Sequence, residues 1–390
     1  MLKWSKISIM LFSALSISCG KLGATDPGAA DGALYVAAGS PQRSAAAVDM
    51  GPGRARFVAV QELVVDMAPA DPQFPDALTI AVGSEGRFFT YDTLADVSLR
   101  ALSAEGVADG DWSLAEAELD AAPLDGLITI GASGDRLAIA QWSADLSAPG
   151  RLSVFAPDGS RFRAVETVAG VAFPHPLGDG RTVIYELYGG VLALIAEDGS
   201  EAARFTVFPR PEGRRAGPSH LWPKEAFAVG GDRVYATAGA TYEVVAFDLN
   251  TDVAWVLDAP WSRIPIPEHM VAKTNGRTER AGRAMAANLA EDADVIWPDH
   301  FPALAGIETD DRGRLFVFPF VVDTQATEFP VDVYSRDGEL IGNGTLPFQG
   351  WDAYRGEHVY RVEHRSGRTV IVRYRLQLPA TVDSAVSAGQ

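Results

Sequence analysis

The sequence predicts an all-β chain in which a four-stranded unit recurs and closes into a ring. Three observations predict it. From about residue 54 to 378, short runs rich in Val, Ile, Phe and Tyr alternate with Gly, Asp and Pro, the pattern of strands bounded by turns. Asp158-Gly159, Asp198-Gly199 and Asp337-Gly338 each end such a run, and Leu249-Asn250 is a variant between them. Gly159 and Gly199 are 40 residues apart, and Asn250 and Gly338 are 88 apart, which is two units of 44. A four-stranded unit with a period of roughly 40–50 residues is the mark of a β-propeller. An unrepeated β-sandwich with accidental Asp-Gly turns is the alternative.

The elements follow in order. Asp-Gly supplies the positive φ values that tight hairpins need. Upstream of each turn a strand opens on Gly or Asp followed by Arg and an apolar residue: Gly134-Asp135-Arg136-Leu137, Gly180-Arg181-Thr182-Val183, Gly231-Asp232-Arg233-Val234 and Gly313-Arg314-Leu315-Phe316. The units fall near 77–104, 127–168, 170–208, 226–258, 301–346 and 347–378. The last is short by a strand. Residues 56–66 (RFVAVQELVVD) are strand-like and precede the first unit, so they complete the last blade and remove an open sheet edge. That makes six blades, with seven the competing count. Residues 261–297 interrupt the array between units four and five. Their stretch 278–289, rich in Ala, Met, Arg and Glu, predicts one helix, and the insertion is expected to cap one face of the propeller.

Outside the body, the N-terminus carries an address. Lys3 and Lys6 precede an apolar stretch, 7–17, that is too short to span a bilayer, the arrangement of an export signal over residues 1–18. The only cysteine, Cys19, follows directly. Leu15-Ser16-Ile17-Ser18-Cys19-Gly20 resembles a bacterial lipobox, with Ser16 where that motif prefers Leu. The resemblance implies a lipidated Cys19 as mature N-terminus, and Gly20 after it implies the outer membrane. Stable anchoring needs more than one acyl chain. Residues 19–53 are rich in Gly, Ala, Asp, Pro and Ser and read as a flexible tether, and 379–390 as a flexible tail.

Charge and motifs narrow the chemistry. The formal net charge is −18, and a body that acidic repels phosphate backbones, so no nucleic-acid partner is expected. One cysteine rules out an intramolecular disulfide framework and a Cys-rich zinc module. No phosphate-binding loop, nucleophile elbow or zinc-protease motif occurs. His358 and His364 are six residues apart on one strand, too far to share a metal ion. His175, between Pro174 and Pro176, reads as part of a rigid inter-strand turn. Asp310 and Asp311 read as turn residues, and Glu291, Asp292 and Asp294 as a solvated helix end. No metal or cofactor is expected. His220 and Trp222 lie in a loop that can reach the channel mouth, and Trp261, His269, Trp297 and His300 lie in or beside the insertion. Together these six are the candidate ligand-binding residues, by stacking and hydrogen bonding. The competing reading has the tryptophans anchor the insertion while the histidines are solvated.

One resemblance covers residues 127 to 378. It is carried by Trp297-Pro298-Asp299-His300-Phe301-Pro302-Ala303, by Gly306-Ile307-Glu308-Thr309-Asp310-Asp311-Arg312-Gly313-Arg314-Leu315-Phe316-Val317, by Val331-Asp332-Val333-Tyr334-Ser335-Arg336-Asp337-Gly338 and by Ile371-Val372-Arg373-Tyr374-Arg375-Leu376. These stretches resemble the six-bladed, NHL-repeat-like propellers exported as lipoproteins by Gram-negative bacteria. The resemblance implies a fold and no catalytic residues. The reading is a monomeric, lipid-anchored binding or scaffold module at the outer membrane, with a protein, peptide or glycan as ligand. The alternative is a lactonase- or hydrolase-type propeller enzyme with a channel-bound calcium ion.

Overall fold

A strand covered on both faces is apolar throughout, whereas one covered on a single face alternates. Val191–Ile195 and Leu315–Pro319 are buried at every residue, so the sheets that hold them are sandwiched between neighbours. The computed structural model describes residues 42–44, 55–69, 78–83, 86–92, 99–108, 127–134, 136–142, 150–156, 161–167, 170–186, 190–208, 214–215, 222–268, 295–296, 299–323 and 325–378. They form a six-bladed β-propeller. The signal segment, Cys19, the 278–289 stretch and the C-terminal tail lie outside the described residues.

The blades follow the chain. Blade one shows Leu78–Val82, Phe88–Asp92 and Leu99–Leu102. Blade two is Leu127–Ser133, Arg136–Trp142, Gly150–Phe155 and Arg161–Thr167. Blade three is Val171–Pro176, Thr182–Glu186, Val191–Ile195 and Glu201–Val207. Blade four is Ala226–Gly230, Arg233–Thr237, Glu243–Asp248 and Val253–Asp258. Blade five is Leu304–Thr309, Leu315–Pro319, Phe329–Tyr334 and Leu340–Leu346. Blade six is Ala353–Arg355, His358–Arg365 and Arg368–Gln377, completed by Val58–Pro69 from the N-terminal side. That last strand pairs antiparallel with Arg368–Gln377 along its length, from Val58 opposite Gln377 to Pro69 opposite Arg368. The strand expected over 56–66 therefore closes the ring.

Two further segments from the N-terminal side add to blade edges. Ala55–Arg56 pairs in parallel with Leu340–Leu346 of blade five, and Gln42–Ser44, within the stretch read as a tether, pairs in parallel with Val253–Asp258 of blade four. Each satisfies backbone groups on an outermost strand that is otherwise open.

The apolar core is divided among the blade interfaces. Successive residues of one strand serve opposite interfaces: Leu194 packs toward blade four with Val234 and Phe247, while Ala193 and Ile195 pack toward blade two with Ala138 and Leu152. Five such clusters join blades one to six in order. A sixth, with Leu78, Ile80, Phe88, Tyr360 and Ile371, joins blade six back to blade one.

The recurrent turns differ in one respect from the sequence reading. In blades three and five only the glycine takes positive φ, 89° at Gly199 and 80° at Gly338. The glycine N–H donates three residues back, to Ala196 O at 3.1 Å and to Ser335 O at 2.9 Å. The strand pairing beside each turn shifts register. These are three-residue loops with a left-handed glycine and a bulge, rather than two-residue hairpins. The glycine also admits the preceding blade: a Cβ on Gly338 would stand 2.9 Å from the Trp255 ring, and one on Gly199 2.6 Å from Val165.

Candidate functional site

The first strand of blade five begins with an irregularity. Its pairing with Leu315–Pro319 shifts register between Leu304 and Gly306, and bulges of this kind re-aim the side chains that follow. Two residues on is Glu308. The chain returns to this strand after blade five through Gln349-Gly350-Trp351-Asp352, which leads into the first strand of blade six. Gln349 Nε2 donates to Pro319 O at 3.1 Å, tying the turn to blade five. Trp351 wedges edge-on against Phe316 and Phe318, with ring centroids 4.9 and 5.5 Å apart. Asp352 is fixed from blade six, where Val362 N–H donates to its Oδ2 at 2.7 Å.

Between these elements lies a cavity of about 230 Å³, lined by Glu308, Phe318, Gln349, Trp351, Asp352 and Arg361 with Ala305, Gly306, Gly350 and Val362. The Glu308 carboxyl is held well above the usual carboxylate range. Burial is the main cause, the nearby Asp352 charge adds to it, and the hydrogen bond from the Trp351 backbone N–H opposes it. Arg361 reaches the cavity from the second strand of blade six. Its guanidinium lies over Phe348, 4.8 Å from the ring centroid, and its Nη1 donates to Glu363 Oε1 at 3.2 Å. The arrangement combines a carboxyl whose pKa is raised, a second carboxyl, a guanidinium and two aromatic walls. Such a set can orient a small polar molecule by a few convergent hydrogen bonds.

Of the six residues proposed from sequence, the three that the structure describes, Trp222, Trp261 and His300, are not among those lining this cavity. Trp222 is half-buried in the connection leading into blade four. Trp261 packs against the cluster between blades four and five. His300 Nδ1 lies 2.9 Å from Asp299 Oδ1, and this hydrogen bond holds the Asp299 carboxyl below its ordinary range. His300 also forms a bridge with Pro265, so the two ends of the insertion are joined to each other. His220, His269 and Trp297 lie outside the described residues. The insertion and the His220 loop are nevertheless linked, because Arg214–Arg215 pairs in parallel with Val295–Ile296.

His175 is not in a turn. It lies on the first strand of blade three, whose pairing shifts register between Ala172 and His175, and burial lowers its pKa to about 4. Phe173, two residues before it, takes φ of 46°, rare for a bulky residue. Asp310 is a turn residue, as read, but a buried one: its carboxylate accepts Arg312 N–H at 3.0 Å and Arg314 N–H at 2.8 Å, and pairs with the buried Arg314 guanidinium. Glu308 and Asp352 went unnoticed because neither sits in a spaced motif. The only available signal was the polar and aromatic composition of Gln349-Gly350-Trp351-Asp352, placed between two β-rich units.

The fold defines the class, a six-bladed β-propeller. No protein-family description and no curated protein matches the sequence. Solved structures do match in architecture. A member of the DUF4221 family from Bacteroides vulgatus aligns with a TM-score of 0.46 and 12% identity, covering 83% of this chain and 99% of that one. A protein of unknown function from Bacteroides caccae aligns with a TM-score of 0.37 and 12% identity, covering 69% and 81%. Virginiamycin B lyase from Staphylococcus aureus aligns with a TM-score of 0.40 and 10% identity, covering 81% and 99%. The likeness is one of fold alone.

Proposed function

We propose that this chain is an exported propeller, lipid-anchored at the outer membrane through Cys19, that acts as a binding module. Its ligand seat is the cavity between blades five and six. The observation that carries the reading is the cavity itself: a preformed space of about 230 Å³ at a blade seam, with Glu308, Asp352, Gln349 and Arg361 converging on it between aromatic walls. Its size suits a small molecule or the end of a chain rather than a folded partner. The anchor rests on the export signal and on the position of Cys19, and mass spectrometry of the mature N-terminus tests it. An acylated Cys19 is expected, and an unacylated, soluble mature protein contradicts it.

Gly306 provides the test of the seat. It lines the cavity, and a Cβ built on it meets nothing within 4 Å, so Gly306→Leu fills the space without displacing the backbone. A thermal-shift screen of small polar compounds on wild type and Gly306→Leu should find ligands that stabilise the first and not the second. Ligands that stabilise both equally would overturn the assignment of the seat.

An enzymatic reading rests on the same pair of residues. A carboxyl with a raised pKa beside a second carboxyl is an arrangement used for general acid–base work. Glu308→Gln separates the two readings, since a binding module keeps its ligand whereas an enzyme loses turnover. For a calcium ion the donors are sparse: among the described residues, no three His, Cys, Asp or Glu side chains converge to hold a metal.

A further inference from the structure

Side chains from three segments bring hydrogen-bonding capacity to the seam cavity that the described residues do not use up. Glu308 comes from the first strand of blade five, Gln349 from the connection between the blades and Arg361 from the second strand of blade six. Gln349 donates through Nε2 to Pro319 O, which leaves its Oε1 to accept. Arg361 donates through Nη1 to Glu363 Oε1 and lays its guanidinium over Phe348, which leaves Nε and Nη2 to donate. The Glu308 carboxyl accepts the Trp351 backbone N–H, and a carboxyl can engage more than one partner. Burial disfavours its charged form, and when protonated it donates as well as accepts. Asp352 accepts Val362 N–H and serves here as wall.

We infer that the cavity receives a neutral polyhydroxylated molecule of monosaccharide size. This rests on the cavity being the ligand seat. The occupant has to donate to Gln349, accept from Arg361 and meet a carboxyl that offers a donor or an acceptor according to its protonation, all within about 230 Å³. A hydroxyl does each of these at a single atom and turns its hydrogen to suit. A ring of neighbouring hydroxyls aims such groups in several directions at once, toward partners that come from different segments. An amide separates donor from acceptor and fixes both in one plane. Charged groups fit less well. A cation would share the space with the Arg361 guanidinium, which keeps its charge at every working pH, and an anion would raise further the cost of ionising Glu308. A neutral ligand meets neither penalty, and Phe318 and Trp351 offer apolar wall to its C–H edges.

The test is ligand-observed NMR titration of the purified full-length protein in detergent with glucose, galactose and mannose. The best-bound sugar is then compared with its methyl glycoside, its amino-sugar and uronic-acid counterparts, and N-acetylglycinamide, a neutral diamide. At least one sugar is expected to bind, and both charged counterparts to bind about tenfold or more weakly. Glu308→Gln should hold the affinity within about threefold, because an amide also donates and accepts. Arg361→Met should lower it about tenfold, the worth of one charge-assisted hydrogen bond. Retained binding of the methyl glycoside supports the class with the end of a glycan as source, and its rejection supports the class with a free sugar as source. No binding by any of the sugars, equal binding of a charged counterpart or of the diamide, or an affinity unchanged in Arg361→Met overturns the ligand class. Any compound that binds wild type and not Gly306→Leu then leaves the seat intact. Sugar binding that Gly306→Leu does not alter overturns the seat and this inference together.

Discussion

At the scale of the residue, the molecule repeats one turn and fills its key position in two ways. Blades three and five place Gly199 and Gly338 in the left-handed region. Blade four places Thr251 there, with φ of 72° and its N–H donating to Asp248 O at 3.0 Å. A β-branched residue is strained in that region, by roughly 1–2 kcal/mol, and a glycine gives back part of this as unfolded-chain entropy. Thr251→Gly is therefore expected to stabilise the protein by about 1 kcal/mol in chemical denaturation, and a loss of stability would show that the Thr251 side chain outweighs the strain. Glu308 yields a second expectation. Its pKa is raised by folding, so above the ordinary carboxyl value of about 4.5 the folded state keeps a proton that the unfolded state releases, and stability falls as pH rises. Glu308→Gln removes that dependence. The stability of the variant relative to wild type should increase as pH rises above the ordinary carboxyl value of about 4.5, and an advantage that shrinks over that rise would contradict the raised pKa.

At the scale of the element, the first strands of blades three and five are bulged. The strand Val171–Pro176 is bulged, and the bulge drives Pro174 O against blade two, where a Cβ on Gly131 would stand 1.6 Å from it. Backbone on both sides leaves no flexible side chain to yield, so Gly131→Ala should destabilise by about 1–3 kcal/mol, at the upper end for a single added methyl. A change within 0.5 kcal/mol would show that the seam is looser than its geometry. These breaks also explain what was legible in the sequence. The turns and the Arg-led second strands repeat, because each blade solves the same packing problem, and they mark blades two to five, while the closing strand is read from its strand-like composition. The bulges of the two first strands follow no repeat in the sequence. His175 sits between two prolines, the composition of a turn, yet lies in a strand, and the cavity residues Glu308 and Asp352 converge from segments 44 positions apart. The conspicuous His and Trp residues drew attention to the insertion, where Trp261 serves packing and His300 joins the insertion's two ends.

At the scale of the whole molecule, closure and site are one construction. The strand Val58–Pro69, 12 residues long, pairs with Arg368–Gln377, which pairs with His358–Arg365, the strand that carries Arg361 to the cavity. Phe57, just before it, is buried with Phe316 and Trp351 at the seam between blades five and six. Among the described residues the six large apolar clusters are the blade interfaces themselves. Losing the closing strand therefore opens the seam at both ends of the chain. The most direct test is the thermal midpoint of two truncated chains, one beginning at residue 54 and one at residue 70. The first loses only the short edge strand Gln42–Ser44 among the described elements and should melt within a few degrees of the full-length protein. The second should melt about 10 °C or more below it, or fail to fold. Equal midpoints for the two chains would contradict a ring closed by its N-terminal strand.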